Sequence, residues 1–332
     1  MTTGTVNSRT WQLLELLADG EFHSGQVLAS RLGLSRASVF NALSDVASSG
    51  ILLQRIRGRG YRLARPWQRL ERDEILRWLG KDAGQFDIEI SPQAASSNTL
   101  LLQRAGDNVK RAQSGSVLAL ELQTAGRGRM GRDWHSALGT ALTFSLLWRF
   151  DCGANELSGL SLAVGVAIVR TLNKFGAHGA KLKWPNDVLT GQGKLAGVLI
   201  EVQGEMFGPS TVVIGIGLNC SLPASLVPRI GQPASALDEV CAAMPTRNRL
   251  LAELLIELAR VLRQFAKSGF AGLRGEWERY HFHQNGQVRL QLGDGQVASG
   301  IARGVGDNGE LCLETAYGMR RFNSGEVGVQ RQ

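Results

Sequence analysis

The sequence predicts a multidomain α+β protein with a helical N-terminal module, a central mixed α/β domain and a small all-β C-terminal module. Three observations support this fold class. Short helical patterns precede a glycine-rich hairpin, apolar runs of strand and helix length fill the middle of the chain, and only short strands with glycine turns follow residue 284. We place the domains at 1–66, 67–282 and 283–332.

Composition narrows the class of protein. The chain has 332 residues, of which 43% are hydrophobic, enough for several cores. The first ten residues are polar, and the longest apolar run, 159–169, is too short to cross a bilayer. The four cysteines are scattered without a C-x-x-C pair, so we expect neither a zinc site nor a disulfide framework. We therefore expect a soluble, cytoplasmic protein with no membrane partner.

Positive charge is concentrated near the N-terminus. The net charge is +8, yet residues 1–70 alone carry nine arginines against four acids. Residues 55–69 contain six arginines and no acid. A solvated surface is the simplest explanation of such a run. Its position beside a helical module instead favours a partner with a phosphate backbone.

The N-terminal residues have the pattern of a winged helix-turn-helix. An amphipathic helix after Trp11 is followed by helices whose N-caps are Ser24 and Ser35, with Gly33 between them and Gly50 ending the third. An arginine-rich hairpin then forms the wing. We expect DNA contacts from the third helix and the wing, at Ser35, Arg36, Ser38, Asn41, Arg57 and Arg59. Use of the module for protein contacts, or loss of its DNA binding, remains the alternative.

The most informative segment is the Gly/Arg loop, Gly126–Arg132, which places three arginines among three glycines after a predicted strand. Its glycines match G-x-G-x-x-G literally, and Asp151 lies 20 residues beyond Gly131. A dinucleotide site needs those glycines to open a helix, whereas a strand-like run follows here, so we reject that interpretation.

Direct chemistry explains the Gly/Arg loop better. Glycines let the backbone approach a ligand closely, and guanidinium groups bind phosphates and carboxylates through paired hydrogen bonds. The loop therefore suits a triphosphate that meets a carboxylate. A flexible basic surface loop is the alternative.

Three later motifs add polar groups. Lys183–Asp187 surrounds a proline; its Asp187 suits Mg²⁺ and its Asn186 suits a ligand, although a plain turn is the alternative. Lys194 begins a predicted strand and can neutralise an α-phosphate during adenylation, although exposed lysines are common. Gly215–Asn219 indicates either a close backbone approach to a ligand or a tight turn.

Together these segments resemble the bifunctional biotin–protein ligase and biotin-operon repressor family. The helix-turn-helix and the C-terminal segment fit the repressor subgroup, so the resemblance covers nearly the whole chain. The matching central segments are 96–98, 123–134, 183–187, 194–201 and 215–219. The resemblance implies a class II synthetase-like sheet in the central domain and an SH3-like barrel that helps with ATP and the carrier protein.

The resemblance implies a two-step reaction and a regulatory role. Biotin and MgATP form biotinyl-5′-adenylate and pyrophosphate, and a lysine of a biotin carboxyl carrier protein then attacks the mixed anhydride and releases AMP. The protein would also repress biotin biosynthesis genes by binding operator DNA. Bound adenylate would order glycine loops and pair two subunits into a homodimer.

Site residues follow from the same resemblance. It implies catalytic roles for Lys194, Arg129 and Arg132. The chemistry of its carboxylate, rather than the resemblance, makes Asp187 the candidate ligand for Mg²⁺. The resemblance implies biotin binding by Ser96, Ser97, Asn98, Gln123, Gly126, Arg127, Gly128, Arg129, Lys194 and Gly197. It implies ATP or phosphate binding by Arg127, Arg129, Arg132, Lys183, Asn186 and Asn219.

The chain departs from the family pattern in a few places. Ser97 stands where the family usually has threonine, and Met130 replaces a position that is often polar or basic, which we expect to alter the ordering of the loop. Residues 221–244 match poorly, so no adenine contacts are assigned there. Two other functions stay open: a ligand-sensing transcription factor without catalysis, and a lipoate–protein ligase. The winged helix and the Gly/Arg loop favour biotin.

Overall fold

The computed structural model describes residues 6–44, 46, 51–64, 66–106, 112–191, 193–204 and 206–329. The helices are α1 (Ser8–Leu16), α2 (Gly25–Leu32), α3 (Arg36–Ser44), α4 (Arg72–Leu79), α5 (Ser97–Gly106), α6 (Leu160–Lys174), α7 (Val227–Ile230), α8 (Arg247–Ser268) and α9 (Ala271–Arg279). The strands are β1 (Leu53–Ile56), β2 (Gly60–Leu63), β3 (Asp87–Ala94), β4 (Ser116–Gln123), β5 (Gly126–Arg127), β6 (Asp133–Trp134), β7 (Ala141–Phe150), β8 (Ala180–Lys183), β9 (Asp187–Thr190), β10 (Gly193–Gly204), β11 (Ser210–Asn219), β12 (Gln287–Gln291), β13 (Val297–Val305), β14 (Leu311–Thr315), β15 (Gly318–Phe322) and β16 (Glu326–Val329).

The N-terminal module is the predicted winged helix-turn-helix. The Ser24 side chain accepts a hydrogen bond from the Val27 N–H and caps α2, while Ser35 Oγ accepts from the Ser38 N–H at the start of α3. β1 and β2 pair antiparallel as the wing. The expected helix end at Gly50 lies outside the described residues. This part of the fold class is confirmed.

The central domain is built on a seven-stranded sheet in the order β3-β4-β7-β11-β10-β9-β8. Only β3 and β4 are parallel; the other pairs are antiparallel. α6 and α8 pack together against one face of the sheet. α6 is buried along nearly its whole length, and α8 buries apolar residues that recur at helical spacing from Leu250 to Phe265. α5 packs on the other face, where Leu101 contacts Leu147 and Val213.

Some elements were not predicted from the sequence. β3 is a largely exposed edge strand, and the buried residues of α5 begin with the polar Ser97 and Asn98. Neither segment has the apolar periodicity that identifies a helix or a strand, so neither element could be predicted from the sequence pattern. The start of α5 matters most because it forms one wall of the site described below.

The C-terminal module is a five-stranded antiparallel sheet in the order β15-β14-β13-β12-β16. Its buried residues, including Val288 and Leu313, belong to the same hydrophobic core as the central sheet. Trp184 Nε1 donates a hydrogen bond of 2.9 Å to the Gly309 carbonyl and joins the two parts. Among the described residues, no helix has both the length and the apolar character needed to cross a bilayer.

Candidate functional site

A cavity of about 420 Å³ lies between the start of α5, the strands β10 and β11, and the Gly/Arg loop. It brings together most of the residues that the sequence assigned to biotin and phosphate, although they are scattered over more than a hundred positions. Those that line it are Ser96, Ser97, Asn98, Gln123, Arg127, Gly128, Arg129, Arg132, Asn186, Lys194, Gly197 and Asn219. Gly126, Lys183 and Asp187 are not part of this lining.

The floor of the cavity depends on two glycines of β11. A Cβ atom at Gly215 would lie 2.2 Å from Asn98 Oδ1, and one at Gly217 would lie 2.4 Å from the Trp134 ring. Any side chain at these positions would displace the cavity wall. The tight-turn alternative for Gly215–Asn219 is therefore wrong: the segment is a strand whose bare backbone admits its neighbours.

One end of the cavity, which we call the uncharged end, is lined by a buried hydrogen-bonded network of hydroxyl and amide side chains. Gln123 Oε1 accepts a hydrogen bond from the Ser97 N–H at 2.9 Å. Ser145 Oγ lies 2.7 Å from Ser97 Oγ and 2.6 Å from Asn98 Oδ1. Closely spaced donors and acceptors on buried side chains suit a small polar head group. Ser145 was missed from the sequence because it sits within an apolar strand pattern.

The opposite end is cationic. Lys194 Nζ lies 2.7 Å from Asp187 Oδ1, and the Lys194 side chain is 17% exposed. Arg129 Nη1 donates to Asn186 Oδ1 at 3.3 Å. Burial, together with the neighbouring positive charge of Arg132, lowers the pKa of Arg129, which shows how closely positive charge is held here. Such a cluster favours an anionic ligand.

The Gly/Arg loop covers the cavity as a short hairpin. β5 pairs with β6, and Met130 adopts a left-handed conformation with φ 55° at the exposed tip. The strand β6, and not an α-helix, comes directly after the three glycines, in agreement with the rejection of a dinucleotide site. Because Arg127, Gly128 and Arg129 line the cavity, the loop is part of a site and not merely a basic surface segment.

A second cavity of about 480 Å³ adjoins the first and shares Arg129, Arg132 and Asn186 with it. Lys183 and Asp187 line this space, together with Arg289 and Glu326 from the C-terminal module. Lys183–Asp187 is indeed a turn, between β8 and β9, and it borders both cavities. The C-terminal module thus reaches the cationic end of the site.

The carboxylates of this region do not form a metal cage by themselves. Within the described parts of the chain, no group of three or more His, Cys, Asp or Glu residues could hold an ion. Asp187 is a single carboxylate that already pairs with Lys194. This donor set fits a hard cation whose other ligands are phosphate oxygens and water.

Part of the wall comes from a segment that the sequence left unassigned. Ile230, Gly231, Gln232 and Ala234 line the first cavity. The Lys194 N–H donates to the Pro233 carbonyl at 3.0 Å, which ties this segment to the start of β10. No local sequence motif identifies the segment 230–234 as part of the site, because its position depends on this long-range contact with β10.

The predicted DNA-binding residues are all exposed: Ser35, Arg36, Ser38, Asn41, Arg57 and Arg59. The wing and α3 lie side by side, since the Arg55 guanidinium stacks 4.6 Å from the Phe40 ring. Arg59 stacks on Phe22 at 4.6 Å. The wing arginines therefore form a cationic surface that contacts α3 at Phe40.

Comparisons with known proteins agree with this architecture. Residues 91–219 match the biotin/lipoate A/B protein ligase family, residues 283–328 match the biotin protein ligase C-terminal domain, and residues 9–62 match an HTH domain. The chain is 35% identical to the bifunctional ligase/repressor BirA of Escherichia coli over 98% of both chains. The identity with BirA of Salmonella typhimurium is 35% over 96% of both. A biotin protein ligase from Aquifex aeolicus, solved in complex with biotin and ATP, has a TM-score of 0.62 at 26% identity, covering 74% of this chain and 99% of that one.

Proposed function

This chain belongs to the family of bifunctional ligase/repressors that includes BirA, and we propose which of its residues carry each activity. It is a biotin–protein ligase that activates biotin with ATP, and it carries the DNA-binding module of a repressor. The observation that supports the division of labour is the cavity itself, with a neutral hydrogen-bonding end and a cationic end in one space of about 420 Å³.

In the first step the biotin carboxylate attacks the α-phosphorus of ATP, and pyrophosphate leaves. We assign the biotin head group to the uncharged end, where Ser97, Asn98 and Gln123 offer paired donors and acceptors. Its carboxylate would then point toward Lys194. The protein forms no covalent bond in this step, so its contribution is positioning and charge stabilisation.

At the cationic end we assign Lys194 to the α-phosphate and to the charge that develops on its oxygens. Arg129 and Arg132 would bind the outgoing phosphates, and the second cavity gives those phosphates room beside Lys183. Lys194 must exchange its Asp187 partner for the ligand. Asp187 would then be free to hold the Mg²⁺ that accompanies ATP, where the ion supplies charge neutralisation.

In the second step the amine of a carrier lysine attacks the acyl carbon of the adenylate, and AMP leaves. We propose a biotin carboxyl carrier protein as the acceptor. The C-terminal module would lie next to the carrier protein as its lysine enters the site. We also propose that the protein is cytoplasmic and that it forms a homodimer when the adenylate is bound. Operator DNA is the proposed target of its N-terminal module.

A transfer assay with biotin, MgATP and a carrier domain tests the ligase. Wild type should biotinylate a single carrier lysine, and Lys194→Ala should slow adenylate formation by roughly a hundredfold or more. Lys181→Ala is the matched control, because Lys181 is an exposed lysine of the same sheet and lines neither cavity. Failure of the folded wild type to transfer biotin would refute the ligase, and preference for lipoate in direct competition would favour the other acid.

A further inference from the structure

Glu201, on β10, has no role in the reaction described above, yet it lies where the floor of the cavity meets the Gly/Arg loop. Its side chain is only 20% exposed. Asn98 Nδ2 donates to Glu201 Oε2 at 3.0 Å. Arg127 Nη2 lies 3.0 Å from Glu201 Oε1. The Glu201 carboxylate is therefore shared between Asn98 of the cavity wall and Arg127 of the Gly/Arg loop.

The Asn98 side chain is held on both sides. Its Nδ2 also donates to the Leu199 carbonyl at 3.3 Å, while its Oδ1 faces the Ser145 hydroxyl at 2.6 Å. Because Glu201 carries only acceptor atoms, it directs the amide nitrogen of Asn98 toward β10 and leaves the amide oxygen toward Ser145. The orientation of the Asn98 amide thus depends on this carboxylate together with the Leu199 carbonyl.

The Gly/Arg loop is attached at its other positions by different partners. Arg129 bonds to Asn186, and Arg132 pairs with Glu326 of the C-terminal module. Arg127 bonds to Glu201 and, at 3.1 Å, to Thr99 Oγ1 of α5. Arg127 is therefore the attachment of the loop on the side of the uncharged pocket.

We propose that Glu201 is a positioning residue that holds the Gly/Arg loop closed through Arg127 while it orients Asn98 for the ligand. The inference rests on the proposed function for the identity of that ligand. Since the Arg127 side chain is 49% exposed, the ion pair is weak enough to open for entry and release. Its loss should change the opening equilibrium by roughly two- to fivefold.

The two tasks of Glu201 can be separated by substitution. Glu201→Gln keeps an oxygen that accepts from Asn98 but removes the charge that holds Arg127, so it should loosen the loop and spare the floor. Glu201→Ala should lose both. Glu89→Gln is the matched control, because Glu89 forms a paired Arg–Glu contact with Arg104, at 2.6 and 3.0 Å, away from the cavity.

Limited trypsin digestion of the ligand-free full-length protein measures loop closure independently of ligase activity. Cleavage after Arg129 and Arg132, followed by mass spectrometry, should be two- to fivefold faster in Glu201→Gln and unchanged in Glu89→Gln. Equal cleavage in Glu201→Gln and wild type, at equal urea midpoints, would overturn the proposal. A faster rate that appears equally at sites throughout the chain would also overturn it, since the substitution would then only destabilise the fold.

Calorimetric titration with biotin measures how far the orientation of Asn98 affects the affinity for biotin. Affinity should fall a few-fold in Glu201→Gln, which keeps an oxygen that accepts from Asn98, and by more than about tenfold in Glu201→Ala, in which the Asn98 amide loses its side-chain acceptor altogether. Equal affinities in the two variants would refute the orientation of Asn98 by Glu201. If the wild type bound no biotin, the proposed function would fail, but the digestion would still decide whether Glu201 holds the loop.

Discussion

A buried ion pair between Glu121 and Arg247 ties the segment after the wing to the ligase core. Arg247 Nη1 lies 2.7 Å from Glu121 Oε2, and the two side chains are 4% and 5% exposed. Glu121 also accepts from Trp67 Nε1 at 3.1 Å and from the Leu70 N–H at 2.5 Å. Arg247 donates to the Gln68 carbonyl at 3.0 Å. This carboxylate and this guanidinium hold the connecting segment, together with Asn248, whose side chain bonds to the backbone of Arg69 and Glu71.

Glu121→Ala should destabilise the protein by about 3–5 kcal/mol, because it leaves the Arg247 charge buried without its counter-ion. The Trp67 and Leu70 donors would lose their acceptor as well, and each buried donor without a partner costs about 1–3 kcal/mol. A folded domain has a free energy of unfolding of about 5–15 kcal/mol, so a loss of this size is a large fraction of it.

Urea unfolding followed by circular dichroism measures the loss. Glu89→Ala serves as the comparison, since it removes an exposed Arg–Glu pair and should cost about 1 kcal/mol or less. In Glu121→Ala combined with Arg247→Met, the total loss should be smaller than the sum of the two single losses, because no unpaired charge remains. A Glu121→Ala loss no larger than that of Glu89→Ala, or strictly additive losses, would refute the reasoning.

Three further predictions address the site, the pH dependence of stability and the DNA module. Gly215→Ala should weaken biotin binding by about tenfold or more in calorimetric titration, because its Cβ would lie 2.2 Å from Asn98 Oδ1 and force the pocket open; unchanged affinity would show that the floor yields. Burial lowers the pKa of His283 to about 4, so the unfolded chain takes up a proton that the folded protein does not, and the free energy of unfolding should fall as pH drops from about 6.5 toward 4. His283→Gln should flatten the urea midpoint against pH over that window, and an unchanged slope would contradict this. Removing Arg57 and Arg59 together should lower the slope of log affinity for DNA against log salt by about 2, whereas an unaltered slope would place the DNA elsewhere.

The sequence by itself determined the local elements and the chemistry of the loop. The caps at Ser24 and Ser35 and the apolar stripe of α8 depend on residues three or four positions apart, so they can be predicted from the pattern. The Gly/Arg loop predicted an anion-binding site because it combines three arginines with three glycines. The chemistry of Lys194 suits the same anion, and the family resemblance strengthened its association with the loop.

Tertiary structure alone decided which residues meet. Glu121 and Arg247 are 126 positions apart, and Asn98 and Glu201 are 103 apart, so no local period relates them. Sheet register and chain crossover place Glu201 beside Arg127, Ser145 under Asn98 and the segment at 230–234 against Lys194. Polar residues inside apolar patterns look incidental in the sequence. Their function appears only when burial forces each donor and acceptor to find a partner, and that requirement belongs to the folded core.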